Sequence, residues 1–232
     1  MQPYIFPYLG YFHLIYAADH FVFLDHVNFI KKGWINRNRV RNSQGEILFS
    51  IPLYKASQNR AINETMLSEE YDKWRNKFLK QLELSYKKAP NFEAIHKLIE
   101  NTLDVPEGYN ISELAIDSVQ NILKYLEIKR EISLSSNYDV QAFRGQEMIM
   151  SICKSLNATT YINAVGGKSL YQTDDFNKVG IELLISAKQP VQYDQIGDEF
   201  IDNLSIIDVL MHCSIEQILD MLSNNHSLTP NE

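Results

Sequence analysis

Apolar residues along this chain change their spacing several times, and each change predicts an element. Tyr11, Phe12, Leu14, Ile15 and Ala18 recur at helical spacing, and the unbroken run Phe21-Val22-Phe23-Leu24 follows. That pattern predicts a helix delivering the chain into a buried strand that ends at Asp25. A second strand is predicted over 47–53, after the turn Asn42-Ser43-Gln44-Gly45. Trp74, Phe78, Leu82 and Tyr86 repeat every four residues, with Ser68 as N-cap, until Ala89-Pro90-Asn91 breaks the helix. Ile95, Leu98, Ile99 and Thr102 mark a second helix, and Ala115, Val119, Ile122, Leu123 and Leu126 a third.

Strands and helices then alternate. Strands are predicted at 132–135, 159–163 and 181–186, and helices around 148–156, within 167–178 and over 206–222. Strands without polar alternation, separated by helices, predict a parallel sheet covered on both faces. The expected fold is therefore α/β, with a mostly parallel, doubly wound sheet in one domain over 1–223. The three consecutive helices, at about 66–128, read as an insertion or cap, and 224–232 as a flexible tail.

Composition narrows the function classes. The chain has 232 residues, 45% apolar and 22% charged, with formal charge −7. A sequence pI of 5.4 argues against broad nucleic-acid or membrane-surface binding. No apolar run is long enough for a spanning helix, and no export signal precedes residue 20, which points to the cytoplasm. Cys153 and Cys213 fall in apolar helical runs and read as buried small hydrophobes in a reducing compartment. His13, His20 and His26 lack compact zinc spacing, so no metal site is assigned.

Against the acidic background one segment reverses sign. Between Asp25 and Glu46 there is no carboxylate, while Lys31, Lys32, Arg37, Arg39 and Arg41 supply five cations around Trp34. Cations beside an indole suit an anion carrying a flat ring, such as a nucleotide. In an open parallel sheet, ligands gather beyond the carboxyl ends of strands, and three segments are expected there. The first is the loop from Gln2 to Tyr11, stiffened by two prolines, with Tyr4, Tyr8 and Tyr11 as a pocket wall and Gly10 allowing close approach. The second runs from Asp25, a strand-end carboxylate, through Lys31, Trp34 and Asn36 to Arg37, whose guanidinium suits a phosphate. The third is Asn163-Ala164-Val165-Gly166-Gly167-Lys168, a glycine bend between strand and helix with a lysine for a phosphate. Trp74 and Lys77 from the helical cap, with Lys55 and Tyr171, complete the candidate contacts. Asp25, with His13 or His26 behind it, is the candidate base.

These residues resemble the WbqC-like protein family. The likeness rests on Gln2-Pro3-Tyr4-x-Phe6-Pro7-Tyr8-x-Gly10-Tyr11-Phe12, Lys31-x-Gly33-Trp34-x-Asn36-Arg37-Asn38 and Trp74-Arg75-x-Lys77. Tyr86-x-x-Ala89-Pro90, Tyr161-Ile162-Asn163 with Gly167-Lys168, and Leu204-Ser205-Ile206-Ile207-Asp208 extend it. The resemblance implies a place in O-antigen or related glycan assembly. It implies transfer of an aminoacyl or acyl group, such as glycyl, to the amine of a nucleotide-linked amino sugar. The strand before Gln2, longer in the family, is expected here only as a stub. More distantly, the start resembles nucleotidyltransferases of the pantothenate synthetase type, which use ATP and carry His-x-Gly-His where this chain has Tyr8-x-Gly10-Tyr11. Three functional readings follow: an acyl or aminoacyl transferase, a non-catalytic nucleotide-sugar-binding module, and an ATP-dependent amide ligase acting through an acyl-adenylate. The expected partners are a nucleotide sugar and an acyl donor, with aminoacyl-tRNA left open as that donor.

Overall fold

The computed structural model describes residues 1–188, 191–197, 199–224 and 226–231, without the side chains at 188 and 226. Pro7 stops any earlier helical turn, and α1 (Leu9–Ala17) begins after it and leads into β1 (His20–Phe23). The basic stretch begins in turns and bends over 31–36 and continues as β2 (Arg37–Asn42), which turns back through Ser43 and Gln44 into β3 (Gly45–Ser50). Asn42 Oδ1 accepts from Gln44 N at 2.9 Å, and Gly45 adopts φ +134°, which only glycine takes easily. Asn38 and Val40 point inward while Arg37 and Arg39 stay at the surface, an alternation hidden by the density of charge.

Three helices follow, α2 (Tyr71–Tyr86), α3 (Phe92–Thr102) and α4 (Ile111–Tyr125). Ser68 does not cap α2 directly; its hydroxyl accepts from Glu70 N in the turn before the helix. Asn110 and Glu113 bond each other's backbone N–H groups as a capping box on α4. The remainder is β4 (Glu131–Leu134), α5 (Gly145–Ser155), β5 (Thr160–Ala164), α6 (Thr173–Lys178), β6 (Glu182–Lys188), α7 (Ile206–His212), α8 (Ile215–Asn224) and β7 (His226–Pro230). The closing helix expected over 206–222 is thus broken at Cys213 and Ser214, and part of the expected tail is a strand paired antiparallel with β6.

The protein is mixed α/β, but a continuous doubly wound sheet is not formed. β1 pairs in parallel with β4, β5 in parallel with β6, and β2 with β3 as a hairpin, giving sheets of two, three and two strands. Side chains do alternate between two cores. Phe21 and Phe23 enter the larger core, whereas Val22 and Leu24 meet a smaller one built on α5 and α6. Helices α2 to α4, expected as a cap, contribute Phe78, Leu82, Ile95, Leu114 and Val119 to the same large core as α1 and β2. No helix among the described residues is long and apolar enough to cross a membrane.

One polar network ties α2, α7 and β2 together. Asp208, fully buried, accepts from Tyr86 Oη and Tyr193 Oη, each at 2.7 Å. Tyr86 Oη in turn accepts from Arg41 N at 2.7 Å. Desolvation, reinforced by the Asp208 carboxylate, raises both tyrosines far above their ordinary range, so both remain donors.

Candidate functional site

Asp25 follows the carboxyl end of β1, and Ser135 and Ser136 follow the end of the paired strand β4. The parallel register brings these ends side by side. Ser135 Oγ and Ser136 N each donate to Asp25 Oδ1 at 2.9 Å, while Ser136 Oγ at 2.6 Å and Asn63 Nδ2 at 3.1 Å donate to Oδ2. Both oxygens of this buried carboxylate are thus engaged, each by two donors.

His26 completes a chain. Its Nδ1 lies 2.6 Å from Ser135 Oγ, whose proton is directed to Asp25. The serine oxygen therefore accepts from Nδ1–H, which leaves the lone pair on Nε2. Nε2 is buried and has no hydrogen-bond partner among the described residues. The arrangement is carboxylate, hydroxyl, imidazole, ending on a buried nitrogen with an unused lone pair.

The amino-terminal loop lies beside this cluster. Leu24 N donates to Met1 O at 2.7 Å, which sets Gln2 next to the end of β1. Tyr11 Oη donates to Gln2 O at 2.8 Å, and Tyr4 Oη reaches Gln2 Oε1 at 3.4 Å. Burial raises the phenols of Tyr4, Tyr8 and Tyr11 above their ordinary values, so they act as neutral donors. Gly10 is required by contact: a Cβ there would stand 2.4 Å from the Tyr8 ring. Phe6 adopts φ +40°, a conformation costing about 1–3 kcal/mol for such a residue. Ser118 Oγ accepts from Phe6 N, while Asn38 Nδ2 and Ser205 Oγ donate to Phe6 O, and these bonds hold the strained turn.

The basic hairpin docks on the same loop. Ile5 N donates to Ile35 O at 3.1 Å, and Asn36 Nδ2 donates to Ile51 O at 2.9 Å. Trp34 is 40% exposed, with the Arg37 and Arg39 guanidinium carbons 5.5 and 5.6 Å from its ring. Arg37 donates to the carbonyls of Gly33 and Lys32, and Arg39 pairs with Glu46 at 2.6 Å. An exposed indole gripped by two guanidinium groups is a stacking surface with positive charge beside it.

The other expected residues divide. Asn163 is the last residue but one of β5, and Gly167 lies so close to it that a Cβ would meet Asn163 Nδ2 at 2.2 Å. Gly166 and Lys168 are exposed, and Tyr171 packs edge-on against Tyr161 and Phe176. Among the described residues no hydrogen bond or ring contact links this bend to Trp34, Arg37 or Asp25. Trp74 stacks on Phe78 at 5.1 Å and tilts against Phe49, as a packing residue of α2. Lys31, Lys55 and Lys77 are exposed, Lys55 over the Tyr54 ring. His13 is buried with Nε2 3.0 Å from Met221 O, tying α1 to α8. His26 is the imidazole beside Asp25. Sequence reasoning missed Ser135, Ser136 and Asn63. The two serines were within reach of the rule that selects Asp25, since Ser135 ends and Ser136 follows a predicted parallel strand.

Comparison with known proteins adds a family to this geometry. The chain is 26% identical over 218 residues to the uncharacterized protein Rv1507c of Mycobacterium tuberculosis, covering 93% of each chain. No solved structure gives a significant match. A sequence profile of the WbqC-like protein family matches residues 2–220, through Asp25, Trp34, Ser135 and Asn163, and the chain belongs to that family.

Proposed function

We propose that the protein transfers an acyl or aminoacyl group to the amine of a nucleotide-linked amino sugar during surface-polysaccharide assembly. The observation that carries this reading is the Asp25–Ser135–His26 chain, which ends on the unpartnered Nε2. In the reaction the neutral amine attacks the donor carbonyl, the new C–N bond forms, and the donor's leaving group departs. The proton lost by nitrogen goes to His26 Nε2, and the imidazolium so formed is stabilised through Ser135 by the Asp25 carboxylate. The nucleotide is held at Trp34, Arg37 and Arg39, and Tyr4 and Gln2 meet the sugar's polar edge.

An acyl-adenylate route is less well supported. Tyr11 occupies one of the positions where the nucleotidyltransferases that the start of the chain distantly resembles carry a histidine, and its buried hydroxyl is committed to Gln2 O. The test is incubation with a dTDP- or UDP-amino sugar and a preactivated glycyl donor, with products read by mass spectrometry. A sugar heavier by one aminoacyl group is expected, and His26→Ala should slow its formation about 10²–10⁴-fold while the nucleotide sugar still binds. Tight binding with no acylated product from any donor would replace the transferase with a binding module. Release of pyrophosphate or ADP from ATP with free glycine would replace it with a ligase.

A further inference from the structure

The glycine bend after β5 borders a cleft that the proposed reaction does not use. The cleft measures about 810 Å³ and is lined by Lys168 and Ser169 of the bend, by Tyr171, Gln172 and Asp174 around the start of α6, and by Asn231 just after β7. Its size suits a ligand as large as a sugar or a nucleotide. Asn231 is 6% exposed and sewn into the fold. Its N–H donates to Leu183 O at 3.2 Å, its carbonyl accepts from Thr173 Oγ1 at 2.6 Å, and its Nδ2 donates to Thr173 Oγ1 at 3.1 Å. These bonds fix which way the amide points. The single Thr173 hydroxyl proton goes to the Asn231 carbonyl, so Oγ1 can only accept from the side chain, and the atom facing it is the amide nitrogen. Oδ1 is thereby turned away, and it is buried with no hydrogen-bond partner among the described residues. Buried acceptors are nearly always satisfied, so this one needs a donor. Two further features point to a ligand. Lys168 is exposed and forms no ion pair among the described residues. Gly166 has open space where a Cβ would stand and no left-handed φ, so the fold does not require glycine there, and the missing side chain leaves the backbone open to close approach.

We propose that this cleft binds a saccharide bearing an acidic group, of the hexuronate class. Sugar hydroxyls donate to Asn231 Oδ1 and to the exposed Asp174 carboxylate, Gln172 and Ser169 meet hydroxyls in either sense, and Lys168 neutralises the acidic group. A hydroxyl both donates and accepts, which suits a lining that mixes the two. A nucleobase is less well served. The Tyr171 ring packs against Tyr161 and Phe176, and Val165 is the one large apolar residue of the lining that is exposed, in contrast to the open indole of Trp34. The inference stands apart from the transferase reading, because it assigns a second binding site and no reaction step.

The test follows the backbone amides of Gly166, Gly167 and Thr173 and the side-chain amide of Asn231 by NMR. Methyl glucuronide, methyl glucoside or sodium phosphate is added to the full chain. The glucuronide is expected to give saturable shifts at these positions with a Kd of about 1 mM or tighter, and the glucoside to bind about tenfold more weakly. Lys168→Met and Asp174→Asn change exposed side chains, so both variants should fold. The first should remove the preference for the glucuronide, and the second should weaken both sugars. Asn231→Ala should abolish binding of both. Because Asn231 also ties α6 to β6, the two exposed variants decide the matter if that protein does not fold. Shifts that stay linear with every probe would overturn the proposal, as would a glucuronide affinity unchanged in Lys168→Met and Asp174→Asn. Equal saturable shifts from sodium phosphate would overturn it too, leaving a plain anion site. Binding is read without any acyl donor, so this site and the proposed activity can fail separately.

Discussion

Single side chains set the sharpest expectations. Asp25 accepts four hydrogen bonds, and Asp25→Asn turns one oxygen into a donor that faces other donors. The variant is expected to lose about 1.5–3 kcal/mol in chemical denaturation and most of its turnover. Rescue of activity without recovered stability would separate the two roles. Gly167→Ala forces Asn163 aside, since the new methyl would stand 2.2 Å from its amide nitrogen. If Asn163 contacts the sugar, KM rises while Tm changes little. The Met1 amine gives a pH test. Its folded pKa, about 5, lies below the ordinary α-amino value of 8.0, so between those limits the unfolded chain binds the extra proton. Stability should therefore rise with pH across that window, by up to about 1.4 kcal/mol per pH unit for one proton. Calorimetric scans of the free and N-terminally acetylated chains check this, because acetylation should abolish that part of the slope. Asp19, His20 and Glu131, which line a cavity together with Met1, are common to both chains.

At the level of elements, periodicity was read well where one face decides burial. Phe78, Leu82 and Tyr86 on α2, and Val119, Ile122 and Leu123 on α4, are buried as their spacing requires. Spacing predicts only the second strand of the hairpin, because the inward residues of the first include Asn38 and Arg41, which donate hydrogen bonds to acceptors distant in the chain. At the break of the last helix Asn91 Nδ2 donates to the carbonyls of Leu210 and Cys213, across 119 and 122 positions. Two predictions belong at this scale. Tyr86→Phe removes the link between α2, β2 and α7, leaves Arg41 N and one Asp208 oxygen short of a partner, and should cost about 1–3 kcal/mol in urea unfolding. Trp34→Ala should leave Tm nearly unchanged, the indole being exposed, while weakening nucleotide-sugar binding measured by calorimetry. Undiminished affinity would move the nucleotide away from the hairpin.

For the molecule as a whole, a formal charge of −7 surrounds a cationic hairpin, so association of an anionic ligand there should weaken with added salt. The amino-acid sequence alone determined the α/β class, the helices with strong apolar stripes, the Asp25 strand end and the Trp34–Arg37 neighbourhood. Each of these follows from local spacing or from adjacency along the chain. Tertiary structure alone decided that His13 is tied to Met221, that Ser135 and Ser136 reach Asp25 from 110 and 111 positions away, and that Trp74 packs on Phe78. It also divided the parallel strands around a cavity. Strand register and hydrogen-bond partners are set by groups distant in sequence, and no periodicity within one segment records which distant edge or donor it will meet.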